Sequence, residues 1–465
     1  MKRLFVKRTA LILKYSFPIW FGRSFKRMSS LTDRTTPASI SELTDQLIDR
    51  FAKQKLMSGS CRQWRKIATS NRRPGDIPFT LMSYNILAQD LLEMHPHLYN
   101  RHDAVALVWA HRYDRLITEI NIVKPDILCL QELQDDHKEQ FSAGLTNFNY
   151  EVIYKKRTGF KTDGCAIYYR KDLFNLIESE GVEFYQPDVT RLNRENVAIV
   201  AKFELKSNPS QRLVVATTHL LYNPRREDVR LAQIQVLLAE LDRFSYAGKY
   251  SNGMPKYIPT LVCGDFNLQP FTAPYMLMTT GFLHYENLTG NTLETGGYGP
   301  PVGKVLLPSK LGITDDCRHE CLLNRENEDS NISTRLHHAE KDSPPTPPSS
   351  PENSCTSKVE RFNQGTLKHR FQFSSAYRHG LGTNCQEAST FQGAWITVDY
   401  LFYTKFSKTD EKSAFTKSNL KLVATYSLPT VRQAAEIYSI PNMYFGSDHF
   451  ALAGKFLLRT ETAKL

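Results

Sequence analysis

Eight apolar runs of six to ten residues recur between positions 79 and 458: FTLMSYNIL, DILCLQE, CAIYYR, VAIVAKFEL, RLVVATTHL, TLVCGDF, WITVDYLFY and HFALAGKFLL. Most are apolar at consecutive positions instead of alternate ones, the pattern of strands covered on both faces. Residues 105–123 and 224–241 read as helices between them. A strand covered on both faces needs a second sheet or a helix on each side. The chain therefore reads as an α/β sandwich of sheets flanked by helices.

The ends of these runs are polar. Asn85 closes FTLMSYN, Glu132 closes DILCLQE and His219 closes RLVVATTH. Asp265 and Asn267 close TLVCGDFN, Asp399 interrupts WITVDYLFY, and Asp448 and His449 open the last run. A polar group at the edge of an apolar strand costs free energy unless it is paired or bound to a metal. One such residue is ordinarily a cap or a turn residue. The same placement on six runs points to one pocket at a shared edge of the sheets.

The residue types fit phosphodiester hydrolysis, which needs an activated water, a general base and neutralisation of phosphorane charge. Magnesium prefers oxygen ligands and keeps several waters, so one or two carboxylates hold it; Glu132 is the candidate ligand. Asp265 and Asn267, two apart on an extended segment, are expected to face the same side, one orienting water and the other a phosphate oxygen. An imidazole beside a carboxylate is stabilised as imidazolium. Neighbours in a strand face opposite ways, so the partner expected for His449 is Asp399, with Asp448 turned toward the water or metal.

Lys and Arg number 59 against 48 Asp and Glu, a formal charge of +11. The balance favours a polyanionic partner, nucleic acid or an anionic membrane surface, and equally serves solubility. Cys129, Cys165 and Cys263 lie within apolar runs and read as buried free thiols in a reducing compartment. Cys317 and Cys321 flank His319, but a structural zinc site takes four ligands and no second half is evident.

Residues 1–75 read as a basic leader, mostly disordered. Its first acid is Asp33, and Lys2, Arg3, Lys7, Arg8, Lys14, Arg23, Lys26 and Arg27 alternate with apolar residues before it. That is the composition of a mitochondrial transit peptide, and also of a basic tail that adds charge near RNA. Lys14 interrupts an apolar stretch already too short to cross a bilayer, so no membrane span is expected. An accessory helix is expected over 40–55. Residues 76–462 form the expected catalytic domain, interrupted by 324–365, where SPPTPPSSPENS marks a disordered insertion. Ser343, Thr346 and Ser350 each precede Pro, which suits proline-directed phosphorylation or an unregulated loop alike.

In this order, SYNIL, LQE, TTHLLYNP, GDFN, VDYLF and SDHF resemble the blocks of the endonuclease/exonuclease/phosphatase superfamily. The stretches SYNILAQDLL, WAHRYDRLITEI, PDILCLQE and DGCAIYYRKDLF resemble its branch of deadenylases, nocturnin and the Angel proteins. SYNILAQ followed by HPHLY is most similar to the Angel proteins. The resemblance implies a four-layer α-β-β-α sandwich with one pocket. It implies Glu132 as ligand of magnesium, or of manganese in its place, with Asn85 near the metal waters. It implies Asp265 activating water, Asn267 binding phosphate, His219 and His449 stabilising phosphoryl charge, Asp399 orienting His449, and Asp448 completing the network. Asn223, Pro224 and Phe391 stand where that branch contacts a base. The deadenylase acid before the proline is replaced by Tyr222 and Asn223, and QGAW follows Phe391.

Three functions follow. The leading one is hydrolysis of 2′,3′-cyclic phosphate at RNA 3′ ends, the chemistry associated with the Angel branch. The second is a 3′–5′ poly(A) exoribonuclease. The third is a non-catalytic mRNA-binding protein on an old nuclease fold, against which the intact Glu132, Asp265, Asn267, Asp399 and His449 count. RNA, as mRNA or RNA 3′ ends, is the expected partner. The cytoplasm is the expected location, with mitochondrial import as the alternative offered by the basic start and the nucleus left open.

Overall fold

The computed structural model describes residues 59–68, 72–251, 253–297, 299–323, 361–405 and 419–459, with Asp49 and Ala52 besides. The chain divides into two compact units, residues 1–56 and 57–465. Of the first, only Asp49 and Ala52 are described, both helical. The basic segment of the leader, most of the helix expected over 40–55 and residues 324–360 of the insertion lie outside the described residues.

The second unit holds two large sheets. One has seven strands, in the order β1 (Trp64–Lys66), β18 (Leu420–Tyr426), β19 (Leu452–Leu458), β2 (Ile77–Asn85), β3 (Ile127–Gln134), β5 (Asp163–Arg170) and β4 (Tyr150–Lys156). The other has six, in the order β14 (Phe373–Ser375), β17 (Asp399–Thr404), β11 (Thr260–Asp265), β8 (Asn208–His219), β7 (Val197–Leu205) and β6 (Phe174–Glu183). Three short hairpins are β9 (Tyr246–Lys249) with β10 (Pro255–Tyr257), β12 (Phe282–His284) with β13 (Thr366–Lys368), and β15 (Thr390–Phe391) with β16 (Trp395–Ile396). Each large sheet has one parallel pair at its centre, β2 with β3 and β11 with β8.

Strand side chains alternate between faces, and both faces are covered. Between the sheets, Leu81, Ile127, Cys129, Cys165 and Ile167 meet Ile199, Val215, Leu261, Cys263 and Leu401. Outside the first sheet, Met82, Leu128 and Leu130 pack on Leu116, Ile120 and Val123 of the helix Trp109–Val123. Outside the second, Val200, Val214, Ala216 and Val262 pack on Leu231, Ile234 and Leu238 of the helix Glu227–Ser245. The result is helix, sheet, sheet, helix. Burying each such Leu, Ile or Val contributes roughly 1.5–3 kcal/mol, which is why the runs are apolar at consecutive positions. Cys129, Cys165 and Cys263 are buried and unoxidised in the middle layer.

Local signals set the helix ends. The helix Trp109–Val123 stops at Lys124, which adopts a left-handed conformation (φ 52°), and Pro125 cannot continue it. The helix Glu227–Ser245 is buried on nearly every face and begins three residues after Pro224. Its outer side is covered by the segment 309–323, through Arg318 Nε to Asp242 Oδ2 at 2.8 Å and Gln235 Nε2 to the Thr314 carbonyl at 3.1 Å.

Two expected boundaries move. The domain begins before residue 76: β1 pairs with β18, and Arg62 is buried among Glu119 (2.9 Å), the Ser427 carbonyl (2.6 Å) and the Ala451 carbonyl (2.6 Å). A short strand of Trp, Arg and Lys lacks the apolar run that marks the others. The insertion ends before 365, because residues 361–365 are tied to the domain. The Asp315 amide donates to the Arg361 carbonyl (2.9 Å) and the Gln364 amide to Asp315 Oδ2 (2.7 Å).

Candidate active site

The parallel strands β2, β8 and β11, with the antiparallel β17, bring four strand ends to one side of the stack. Asn85 ends β2, His219 ends β8, Asp265 ends β11, and Asp399 opens the antiparallel β17. Asp265 is in register with His219 on one flank and with Asp399 on the other. Leu261 and Cys263 face the middle layer, so Asp265 does too, and the same parity turns His219 and Asp399 inward. Asp399 therefore does not interrupt a strand: WITVDYLFY is two strands, β16 and β17, with the carboxylate at the start of the second.

Glu132 reaches the pocket by a different device. On β3 it would alternate with Leu128 and Leu130 and face the outer helix. The pairing of β3 with β5 shifts by one residue between Leu130 and Leu133, a β-bulge, and Glu132 takes a positive φ of 60°. A bulge re-aims a side chain. Leu133 returns to the outer layer, while Gln131 and Glu132 both turn to the middle. Gln131 Nε2 bonds Thr217 Oγ1 of the opposite sheet at 2.8 Å. Gly264 allows the close approach of β11 to β8: its φ is 136°, and a Cβ there would lie 2.0 Å from the Thr218 carbonyl.

Asn85 is the junction. Its Nδ2 donates to Glu132 Oε1 and to Asp265 Oδ2, each at 3.0 Å, and the Ala88 amide donates to Glu132 Oε2 at 2.9 Å. His449 Nδ1 lies 2.8 Å from Asp399 Oδ2, and its Nε2 lies 3.7 Å from Asp265 Oδ2. His219 Nε2 is 3.6 Å from the same oxygen, and His219 Nδ1 has no hydrogen-bond partner although buried. Asp448 Oδ1 stands 4.0 Å from His449 Nε2, while its Oδ2 accepts from Tyr99 Oη at 2.8 Å. His449 precedes β19 instead of opening it, the strand starting at Leu452, and is fixed by an isolated bridge to Thr390.

The expectation for Asn267 needs correction. It does not alternate with Asp265 along a strand, because β11 ends at Asp265 and Asn267 has a φ of 52°. The chain turns back, so the Asn267 amide donates to Asp265 Oδ1 at 2.9 Å and Nδ2 to the Leu220 carbonyl at 3.0 Å. The residue closes the turn beside the site. Asn223 and Pro224 lie on the loop from His219 to the helix Glu227–Ser245. Buried Arg230 binds the Asn223 carbonyl (2.6 Å) and the Pro224 carbonyl (3.3 Å), and Phe391 is exposed next to Thr390. Tyr99, Ser447, Gln131 and Arg112 were not singled out from the sequence. Ser447 Oγ donates to the Asn85 carbonyl at 2.6 Å. Arg112, fully buried, binds the Ile86 and Leu87 carbonyls and the Gly446 carbonyl (2.8 Å) and joins the loop after Asn85 to the loop that carries Asp448.

The charges respond to this crowding. Burial, then Asp448, pushes the Glu132 carboxyl above its ordinary value, and burial with Asp399 pushes Asp265 up to about 8. Burial opposes a charge on His449, but Asp399, Asp265 and Asp448 outweigh it and hold its pKa well above the usual value. Burial, then Arg157, brings His219 down to about 4. Among the described residues, Asp265, Asp399 and His449 place ligand atoms within 4.8 Å of one another. Asp399 and His449 Nδ1 already satisfy each other, however. Oxygens for a cation come instead from Glu132 and Asp448, since Asn85 turns its Nδ2 to Glu132 and Asp265 while its Oδ1 accepts from the Leu87 amide. Burial and then Asp448 push the Glu132 carboxyl up, and the repulsion between the two carboxylates is one that a hard divalent ion relieves, so this pair fits one.

The model of the Endonuclease/Exonuclease/phosphatase family matches residues 82–449, from within β2 to His449. Protein angel homolog 2 of Bos taurus is 35% identical over 394 residues, 82% of this chain and 69% of that one. Protein angel of Drosophila melanogaster is 32% identical over 405 residues, 85% of this chain and 86% of that one. The crystal structure of ANGEL2, a 2′,3′-cyclic phosphatase, in complex with adenosine-2′,3′-vanadate superimposes with a TM-score of 0.67 at 32% identity. That superposition covers 86% of this chain and 99% of the other.

Proposed function

The chain belongs to the endonuclease/exonuclease/phosphatase family, among its Angel members, and from that premise we propose a magnesium-dependent hydrolase of 2′,3′-cyclic phosphates at RNA 3′ ends. That it is a phosphoesterase goes with the family. The observation carrying the finer reading is the cluster in which one amide, Asn85 Nδ2, joins the carboxylates of Glu132 and Asp265 beside two histidines. Its support is the 32% identical relative whose site takes a nucleoside 2′,3′-vanadate.

Glu132, with Asp448, would hold a magnesium ion, or manganese in its place, and the ion would supply polarisation of a phosphoryl oxygen and offset charge in the transition state. Asn85 would orient Glu132 and Asp265. Asp265, held by Asn85 Nδ2 and flanked by His219 and His449, would take a proton from the attacking water. The new bond forms between that water and phosphorus, one ring P–O bond breaks, and the freed ribose oxygen takes up a proton. His449, kept protonated by Asp399, presents positive charge to the phosphoryl oxygens. Neutral His219 offers its unpartnered Nδ1 as a donor.

The test offers two RNAs, one ending in a cyclic phosphate and one in a poly(A) tract. Opening of the cyclic end without shortening of the tail is expected. Glu132→Gln, or chelation of the wild type, should lower kcat/KM about a hundredfold or more. Stepwise loss of A residues, with no action on the cyclic end, would replace this reading with a 3′ exoribonuclease.

A further inference from the structure

The turn joining β4 to β5, residues 157–162, stands at the same sheet end as Glu132: Lys156 pairs with Gly164, and Gln134 of β3 with Asp163. It is held at several points. The Arg157 amide donates to the Asp163 carbonyl (3.0 Å), Arg157 Nη1 lies 3.3 Å from Asp163 Oδ1, and Arg157 Nε donates to the Glu195 carbonyl (3.3 Å). The Asp135 amide donates to the Thr162 carbonyl (2.9 Å). Next to Glu195, Asn196 Nδ2 donates to the His219 carbonyl (3.0 Å), so the turn and the catalytic histidine rest on one segment.

On this fixed turn Phe160 projects fully into solvent, at 103% of its reference area. A lone exposed apolar residue is ordinary on a protein surface. This one stands on a braced turn at the sheet end that carries Glu132, in the sequence KKRTGFK, where Lys155 pairs with Glu183, Arg157 with Asp163 and Lys161 with Glu195. Lys156 is exposed. An aromatic face beside cations is the chemistry of single-stranded nucleic-acid binding: bases stack on the ring and phosphates follow the charge.

We propose that Phe160, with the exposed Lys156 at the end of β4, is a stacking platform for a nucleobase of single-stranded RNA upstream of the 3′ end held at Glu132 and Asp265. The assignment rests on RNA ends being the substrate, and it concerns binding, not chemistry. A turn fixed before binding loses little freedom when the strand arrives.

The test measures fluorescence anisotropy of a labelled ten-nucleotide RNA of mixed sequence, with Glu132→Gln as the parent so that no RNA is consumed. Phe160→Ala should weaken Kd about tenfold, within what one base–aromatic stack supplies. Phe160→Trp should keep Kd within about twofold of the parent. In otherwise wild-type protein, Phe160→Ala should leave turnover of adenosine 2′,3′-cyclic phosphate unchanged, since a mononucleotide has no upstream base. An unchanged Kd for Phe160→Ala overturns the platform, as does an equal loss for a blunt RNA duplex, whose bases cannot stack on it. RNA bound without cyclic-phosphate turnover would reject the proposed activity alone, and anisotropy would still decide on Phe160.

Discussion

At the scale of single residues, the site is legible where a strand delivers it. Asn85, His219, Asp265 and Asp399 stand out because each ends or opens an apolar run, and the sheets carry those ends to one place. Tyr99, Ser447 and Arg112 have no such signature. A helix and loops bring them in, and their neighbours in space are far off in sequence: Arg112 is 334 residues from Gly446. Buried histidines away from the site are equally silent in the sequence, yet they govern acid stability. His369 Nδ1 accepts from the Phe371 amide (3.1 Å) and its Nε2 faces the Leu277 carbonyl (2.8 Å), so the ring is neutral with its proton on Nε2. Burial brings it down to about 4. The unfolded chain protonates this histidine near pH 6.5 and the folded chain only near 4. Its contribution is therefore complete above about pH 6.5 and declines as pH falls toward 4, by about 1 kcal/mol per pH unit. Urea unfolding at pH 7 and pH 5 should show a smaller difference for His369→Gln than for the wild type. Equal differences would mean that His369 titrates alike in both states.

At the scale of elements, the sequence shows the central strands and hides the edges. The edge strands β4 and β6 have mostly exposed or half-exposed side chains, so Tyr150–Lys156 and Phe174–Glu183 lack continuous apolar runs. The bulge in β3 is hidden too, since nothing in LQEL announces an extra residue. The least visible element is β1, anchored by Arg62 against Glu119 and over the Tyr426 ring, 4.3 Å from its centroid. Removing one partner of a buried ion pair leaves the other charge uncompensated, at a cost of about 3–5 kcal/mol. Arg62→Ala should lower unfolding stability by about 3 kcal/mol, and Arg62→Met with Glu119→Leu should recover most of it. An unmoved urea midpoint for Arg62→Ala would show that β1 contributes nothing to the fold.

At the scale of the whole molecule, the layered architecture follows from the doubly covered strands, whereas the extent of the domain depends on contacts at its margins. Residues 361–365 show this. Their composition belongs with the insertion, but their backbone is bound to Asp315. Replacing residues 327–358 with a short Gly/Ser linker, which keeps those bonds, should shift Tm by less than about 3 °C. Loop closure costs only logarithmically with length, and this stretch has few apolar residues to bury. A drop beyond about 10 °C would show that it packs on the domain. The two sheets have a further consequence. The apolar layer between them is non-directional. Directional contacts across it include Asn85 to Asp265 and Gln131 to Thr217 at the site, and Tyr377 Oη to the Tyr426 and Ala453 carbonyls away from it. The site thus shares the work of a dowel between two plates: a slip of one sheet past the other would separate Glu132 from Asp265.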